Sequence, residues 1–282
     1  MNRIAGTLVL MIKGGAIGVA NIIPGVSGGT MAVILGIYDR LIESIARFFD
    51  RGSDKRAYSV FLLKIFAGGG IAIVLLANLM DYLLEEHHMF TMFTFMGLIL
   101  GGIPAVIRQH GDMRINGGRI LFFAGGAAVV LGISVLAGGD PASVSEHSRT
   151  VLPQGLDSYF MLVMGGFLAG GAMIVPGVSG SFILVLIGQY AVVITSIKEM
   201  AFAPLAAVAG GAAAGILVFS KTVEFCLERE AAGTYYFILG LITASFIKIF
   251  PGVPDDLSGV LAAAAVFAVG MLASLTLSRE RV

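Results

Sequence analysis

Apolar residues in this chain fall into long blocks, not into narrow stripes. Uncharged or nearly uncharged runs occupy 58–80 (interrupted by Lys64), 89–107, 120–137, 158–175, 177–197, 200–220, 231–247 and 257–277. The region 4–38 contributes two more, which makes ten segments. A membrane-crossing helix needs about 20 predominantly apolar residues. The pattern therefore predicts an all-α polytopic membrane protein.

The blocks repeat. Set against one another at an offset of 152, residues 14–45 and 166–197 are identical at 15 of 32 positions, including all of Pro24–Gly28 against Pro176–Gly180. Weaker likeness continues from "FAGGGIAIVLLANLMDYLLE" (66–85) to "VAGGAAAGILVFSKTVEFCLE" (208–228), and from "FTFMGLILG" (93–101) to "YYFILGLITA" (235–244). Each half thus reads as five segments: a pair carrying the motif "PGVSG", then three more. The boundaries predicted are 1–138 for the first repeat, 139–157 for an outer connecting loop and 158–282 for the second repeat.

Basic residues orient the segments. With both termini in the cytoplasm, inner loops hold 15 of the 18 Lys and Arg residues; Arg149, Lys198 and Lys248 lie outside. Cytoplasmic loops carry such an excess. Three crossings after each motif pair put the halves in opposite orientations, which predicts inverted repeats of the kind found in secondary transporters. Only ten residues separate Lys13 from Pro24, and eight separate Thr30 from Asp39. At about 1.5 Å per residue such arms reach about half a bilayer, so each motif pair is expected to be a re-entrant hairpin with its tip near the midplane.

The motif has the parts of an anion site. Pro24 and Pro176 end the incoming helix. Gly25 and Gly177 permit positive φ, and Ser27 and Ser179 are good N-caps for the outgoing helix. Gly28, Gly29 and Gly180 leave backbone N–H groups for a ligand at the positive end of that helix. Asn21, Thr30 and Ser181 add side-chain donors, although Asn21 is matched by Met173, so the two tips differ chemically. Non-helical backbone at membrane depth is tolerated where it lines a cavity or is buried in protein. Tyr38 and Tyr190 are expected to anchor at the membrane faces. Glycines four apart, as at Gly14/Gly18, Gly97/Gly101, Gly166/Gly170 and Gly211/Gly215, predict close helix packing. The alternating charges of 39–56 read as a solvated cytoplasmic helix end.

Composition narrows the chemistry. The chain is 57% hydrophobic and 13% charged with a formal net charge of zero, and its mean hydropathy is +0.94. Soluble domains carry roughly 25% charged residues. No basic tail suggests nucleic acid. A single cysteine, Cys226, excludes an internal disulfide and a cysteine metal cluster, and four histidines are too scattered for a metal site. Arg3 followed by "IAGTLVLMI" has the look of a secretory leader, but cleavage after Ala20 would cut into the first motif copy. Ionisable residues within the membrane are functional candidates. Lys64 is the best candidate for a cation facing the cavity, and Lys13 is placed toward the cytoplasmic side. No Asp–His pair points to a proton relay, so neither proton nor sodium coupling is indicated, and no cofactor or metal is expected.

"GVANIIPGVSGGTMAVILGIYDRLIE" and "GGAMIVPGVSGSFILVLIGQYAVVI" resemble the paired signature of the bacterial polyprenyl-phosphate transporter family (PopT type). "FTFMGLILGGIPAVIR" and "YYFILGLITASFIKI" resemble its other repeated stretches, and the likeness covers roughly residues 10–275. The resemblance implies a non-enzymatic role in the bacterial cytoplasmic membrane. That role is returning undecaprenyl phosphate from the outer to the cytoplasmic leaflet for cell-envelope synthesis, with Asn21, Pro24 to Thr30 and Pro176 to Ser181 as motif residues. The same helix-end chemistry would serve a transporter or channel for a small soluble anion. An intramembrane lipid phosphatase lacks its His/Asp/Ser constellation.

Overall fold

The computed structural model describes residues 3–22, 26–109, 111–136 and 155–279. Among them the chain forms twelve helices and no strand: α1 (Arg3–Ile22), α2 (Gly28–Ile34), α3 (Tyr38–Ala46), α4 (Lys55–Glu86), α5 (His88–Gln109), α6 (Gly117–Leu136), α7 (Leu156–Ile174), α8 (Gly180–Leu186), α9 (Tyr190–Lys198), α10 (Phe202–Arg229), α11 (Ala231–Lys248) and α12 (Leu257–Arg279). Seven of them, α4 to α7 and α10 to α12, are long and apolar enough to cross a membrane. Large apolar side chains such as Leu63, Val74, Leu121, Val135, Phe160 and Leu261 stand exposed on these helices. The chain is a multi-pass membrane protein.

Ten apolar segments become twelve helices because the outgoing arm of each motif pair is broken. Gly36 and Gly188 adopt φ of +67° and +71°. The Gly36 N–H donates to the Val33 carbonyl (3.0 Å) and the Ile37 N–H to that of Ala32 (3.1 Å); Gly188 and Gln189 repeat this with Val185 (3.0 Å) and Leu184 (2.8 Å). These are paired Schellman caps, which need a residue at positive φ and therefore favour glycine. Both arms have a seven-residue helix, then a nine-residue helix; α8 and α9 meet at a bend of 113°.

The first incoming arm differs from the expectation. Lys13 does not bound the first one. It lies inside α1, a 20-residue helix, with its side chain buried at 1% exposure.

Four helix pairs form the frame: α1 with α4, α7 with α10, α5 with α12, and α6 with α11. The last two pairs exchange helices between the halves. One rule governs all four contacts. A Cβ on Gly14 would lie 2.2 Å from the Ile65 carbonyl oxygen, and one on Gly68 would lie 2.1 Å from that of Met11. Gly166 and Gly211 meet the carbonyls of Val208 (2.2 Å) and Val163 (2.0 Å) in the same way. Gly97 and Gly270 meet those of Phe267 (2.0 Å) and Thr94 (2.2 Å), and Gly126 and Gly240 those of Phe237 (2.1 Å) and Phe123 (2.0 Å). Each glycine therefore sits on the carbonyl three residues before its partner glycine. Where a second contact follows, as for Gly97 with Phe267 and Gly101 with Met271, both helices advance together, so the paired helices run parallel. Small residues permit this close approach, which supplies van der Waals contact where lipid offers no hydrophobic drive.

Half of the apolar window of α5 and of α11 is buried, against 11–22% for α4, α6, α10 and α12. The centre thus consists of α5, α11 and the motif arms. Every residue of α2 is buried, whereas only Gly180 and Phe182 of α8 are.

Candidate phosphate site at the paired turns

The two PGVSG turns touch. The Gly177 N–H of the second donates to the Thr30 hydroxyl of the first at 2.7 Å. A Cβ on Gly29 would lie 3.1 Å from the carbonyl oxygens of Met173 and Ile174, so glycine lets the first turn seat against the end of α7. Tyr38 reinforces the junction. It is 3% exposed, and its hydroxyl donates to the Ile174 carbonyl at 3.0 Å. The expected interfacial anchor is instead a buried strut between the halves. From α11, the Ser245 hydroxyl lies 3.0 Å from the Gly177 carbonyl. Gly177 itself has φ of +84°, and a Cβ there would fall 2.6 Å from Ser245 Oγ.

The first turn is closed on itself. Ser27 caps α2, its hydroxyl accepting from the Thr30 N–H at 3.5 Å. The Gly28 N–H, expected to be open, donates to Asn21 Oδ1 at 3.3 Å, and the Asn21 amide donates to the Ile17 carbonyl at 3.1 Å. Gly28, Gly29 and Thr30 are all buried. Gly25 falls outside the described residues.

The second turn is arranged differently. Ser179 occupies the N-cap position of α8 but makes no cap bond. Its hydroxyl instead shares a 2.8 Å hydrogen bond with that of Ser181, which is exposed. Gly180 is held tightly, since a Cβ there would lie 2.7 Å from the Ala169 carbonyl. With methionine at position 173 where the first half has Asn21, no amide side chain among the described residues hydrogen-bonds this turn. The chemically available hydroxyls are therefore those of Ser179 and Ser181.

Lys64 is half-buried on α4, one turn before Gly68; the contacts that join the two turns do not include it. Among the described residues the deeply buried cation is Lys13, whose ammonium donates to the Leu35 carbonyl at 3.0 Å. Leu35 is the C-cap of α2, so Lys13 fastens the far end of the helix that begins at the first turn. The available signal was Lys13's place beside Gly14 in a small-residue stripe, which argues for a packed helix face. Nearby, the Tyr235 hydroxyl of α11 donates to Asp39 of α3 across the halves.

The segment 39–56 is docked rather than merely solvated. Arg47 pairs with Glu224 and Glu228 of α10, and Lys221 with Asp50 at 3.6 Å. At the start of α11, the Tyr236 hydroxyl donates to the Met113 carbonyl at 3.1 Å. Beside it the Arg119 guanidinium, bonded to Asp112 at 2.8 Å, holds that carboxyl below its ordinary range. Among the described residues no group of His, Cys, Asp and Glu is gathered for a metal ion.

Residues 17–258 match the family model described as VCA0040-like, undecaprenyl phosphate translocase-like. A polyprenyl-phosphate transporter of Staphylococcus aureus (strain NCTC 8325 / PS 47) is 34% identical over 278 residues, 95% of each chain. A polyprenyl-phosphate transporter of Vibrio cholerae serotype O1 (strain ATCC 39315 / El Tor Inaba N16961) is 35% identical over 251 residues, 85% of this chain and 76% of the relative. No solved structure gives a significant match. With the family model covering most of its length and both relatives matched over most of theirs, the chain belongs to the undecaprenyl phosphate translocase-like (VCA0040-like) family.

Proposed function

We propose that this protein carries undecaprenyl phosphate across the bacterial cytoplasmic membrane, from the outer to the cytoplasmic leaflet, by transport rather than by chemistry on the lipid. The observation that carries the reading is the bond between the two motif turns, Gly177 to Thr30, with the Ser179 and Ser181 hydroxyls left available beside it. A phosphate buried without partners is costly, and hydroxyls and backbone N–H groups at helix starts are suitable partners. The two named relatives supply the substrate class.

The helix directions support inverted halves. Let α1 point outward. Its parallel partner α4 then points outward, and α5 returns after a break at His87 alone. The short loop before α6 sends that helix outward, and its parallel partner α11 with it. The chain reverses at Glu230, so α10 points inward, and so does its partner α7. Thus α7 opposes α1. An axis relating inverted halves lies in the membrane plane. Equivalent turns that touch one another must lie close to that axis, which favours re-entrant hairpins with tips near the midplane. The ion pairs of Arg47 and Lys221 place 39–56 and 221–229 at one end of the molecule, in keeping with a common cytoplasmic face for both.

Orientation is checked by cysteine labelling after Cys226→Ser. Ser53→Cys is expected to react only from the cytoplasm and Ser145→Cys only from outside. Labelling of both from one face would rule out inversion.

The transport test uses proteoliposomes and labelled undecaprenyl phosphate, with undecaprenol as the uncharged control and inorganic phosphate as competitor. Hydrogen bonds to a charged group contribute about 1.5–3 kcal/mol each, so Ser179→Ala with Ser181→Ala should lower apparent affinity by about tenfold or more. Equal handling of phosphate and alcohol would exclude a headgroup-reading translocase. Transport of inorganic phosphate alone would favour a soluble-anion carrier.

A further inference from the structure

The second turn offers a phosphate monoester hydroxyls but no positive charge of its own, and among the described residues a cation outside the motif makes contact with it. The ammonium of Lys248, the last residue of α11, lies 3.9 Å from the centroid of the Phe182 ring. Phe182 directly follows Ser181 in the first turn of α8. Three residues before Lys248, Ser245 lies 3.0 Å from the Gly177 carbonyl. Residues three apart share a helix face, so the end of α11 straddles the turn. One side chain holds Gly177 while the other reaches over Phe182. Lys248 is half-buried and forms no ion pair among the described residues. An aromatic face attracts an ammonium through its quadrupole yet leaves the positive charge uncompensated. The two lysines weighed above as cavity cations are placed elsewhere: Lys13 on the Leu35 carbonyl, Lys64 away from the contacts joining the turns.

We infer that Lys248 is a phosphate-binding residue: its ammonium leaves the Phe182 face to meet the anion held by Ser179 and Ser181. This rests on the lipid-phosphate reading above. It adds a residue from α11, so that the anion is gripped between the second turn and a helix that packs against the other half through α6. The monoester could arrive on a polyprenyl lipid or as free phosphate, and the experiment separates the two.

Purified protein in proteoliposomes is assayed for half-saturation and rate with undecaprenyl phosphate, for competition by inorganic phosphate, and for thermal unfolding. Lys248→Gln and Lys248→Met, the second keeping apolar contact with Phe182, should each raise half-saturation by about tenfold or more, as expected for loss of a charge-assisted bond. Lys248→Arg should restore it to within about threefold, since the charge is kept although the geometry changes. Thermal unfolding of folded variants should stay near wild type, because a merely structural lysine would move stability and not half-saturation. Competition by inorganic phosphate that weakens in the Gln and Met variants marks the headgroup as the element recognised; unchanged competition with lost lipid handling would overturn a phosphate contact. Wild-type half-saturation in both neutral variants, with Ser179→Ala still impaired, would remove Lys248 and leave the translocase intact. A wild-type protein indifferent to the phosphate would sink the underlying reading instead.

Discussion

Gly211→Ala is expected to unfold this protein at a markedly lower temperature, while Gly210→Ala, one residue earlier on the same helix, should leave it as stable or more so. A Cβ on Gly211 would lie 2.0 Å from the Val163 carbonyl oxygen and 2.9 Å from its carbon, whereas one on Gly210 meets nothing within 4 Å. The first change must push α10 and α7 apart, because the obstacle is backbone and has no rotamer to yield. Overpacking costs typically about 1–3 kcal/mol and sometimes more. Contact at 2.0 Å with a rigid neighbour argues for about 3 kcal/mol or more. The second change only replaces a poor helix former, a gain of up to about 1 kcal/mol. The halves supply a replicate: Gly68→Ala collides with the Met11 carbonyl at 2.1 Å, and Gly70→Ala meets nothing. Thermal unfolding of the four variants in detergent measures the contrast. Like-signed shifts within each neighbouring pair would mean that the parallel glycine seams do not set the helix spacing.

Those seams also mark how much of the fold is legible in the sequence. The glycine spacings at Gly14/Gly18, Gly97/Gly101 and Gly166/Gly170 announce close packing, and the helices do pack there. Their partners were not legible, because α5 finds α12 and α6 finds α11 across more than a hundred residues, and small residues fit one another everywhere. The apolar runs located the seven spans. They missed the breaks at Gly36 and Gly188, although both glycines belong to the repeat, because a glycine in an apolar run reads equally as packing or as a cap. The difference between the turns was half visible. Asn21 against Met173 is in the sequence, and it decides which turn carries an amide that folds back on Gly28. That Ser27 caps its helix while Ser179 turns to Ser181 follows the one difference between "PGVSGG" and "PGVSGS", since Ser181 offers a hydroxyl where Gly29 has none. Tyr38 departs from the expected interfacial position because the chain turns at Gly36 and the Tyr38 hydroxyl finds the Ile174 carbonyl.

Lys13 departs from expectation too, and its replacement has a second sharp expected result. A lysine in an apolar run is ordinarily a segment end, because a charge at the centre of a membrane helix costs about 2.5–3.5 kcal/mol on insertion scales. Lys13 is nevertheless buried and donates to the Leu35 carbonyl at 3.0 Å. Leu35 is where α2 ends and the Schellman cap at Gly36 begins, and Tyr38 lies three residues on. The ammonium therefore secures the elbow that aims Tyr38 at the second half. Lys13→Ala removes a long stem from a packed site and strips a partner from a buried carbonyl. Large-to-small changes cost about 2–5 kcal/mol, and an unsatisfied buried group adds about 1–3 kcal/mol, against which the relieved charge offsets a part. A net loss of about 3 kcal/mol is expected, seen as a lower unfolding temperature. Lys13→Met refills the volume and removes the charge, so only the bare carbonyl, about 1–3 kcal/mol, stands against the relieved charge, and the loss should be clearly smaller than for alanine. It still leaves the Leu35 carbonyl without that donor. The elbow should loosen, and with it the seating of the first turn on the second, so Lys13→Met should transport undecaprenyl phosphate poorly despite being well folded. The comparison is made on one preparation by thermal unfolding and proteoliposome transport. An alanine variant as stable as wild type, or a methionine variant with full transport, would show that this buried cation neither holds the elbow nor sets the approach of the two turns.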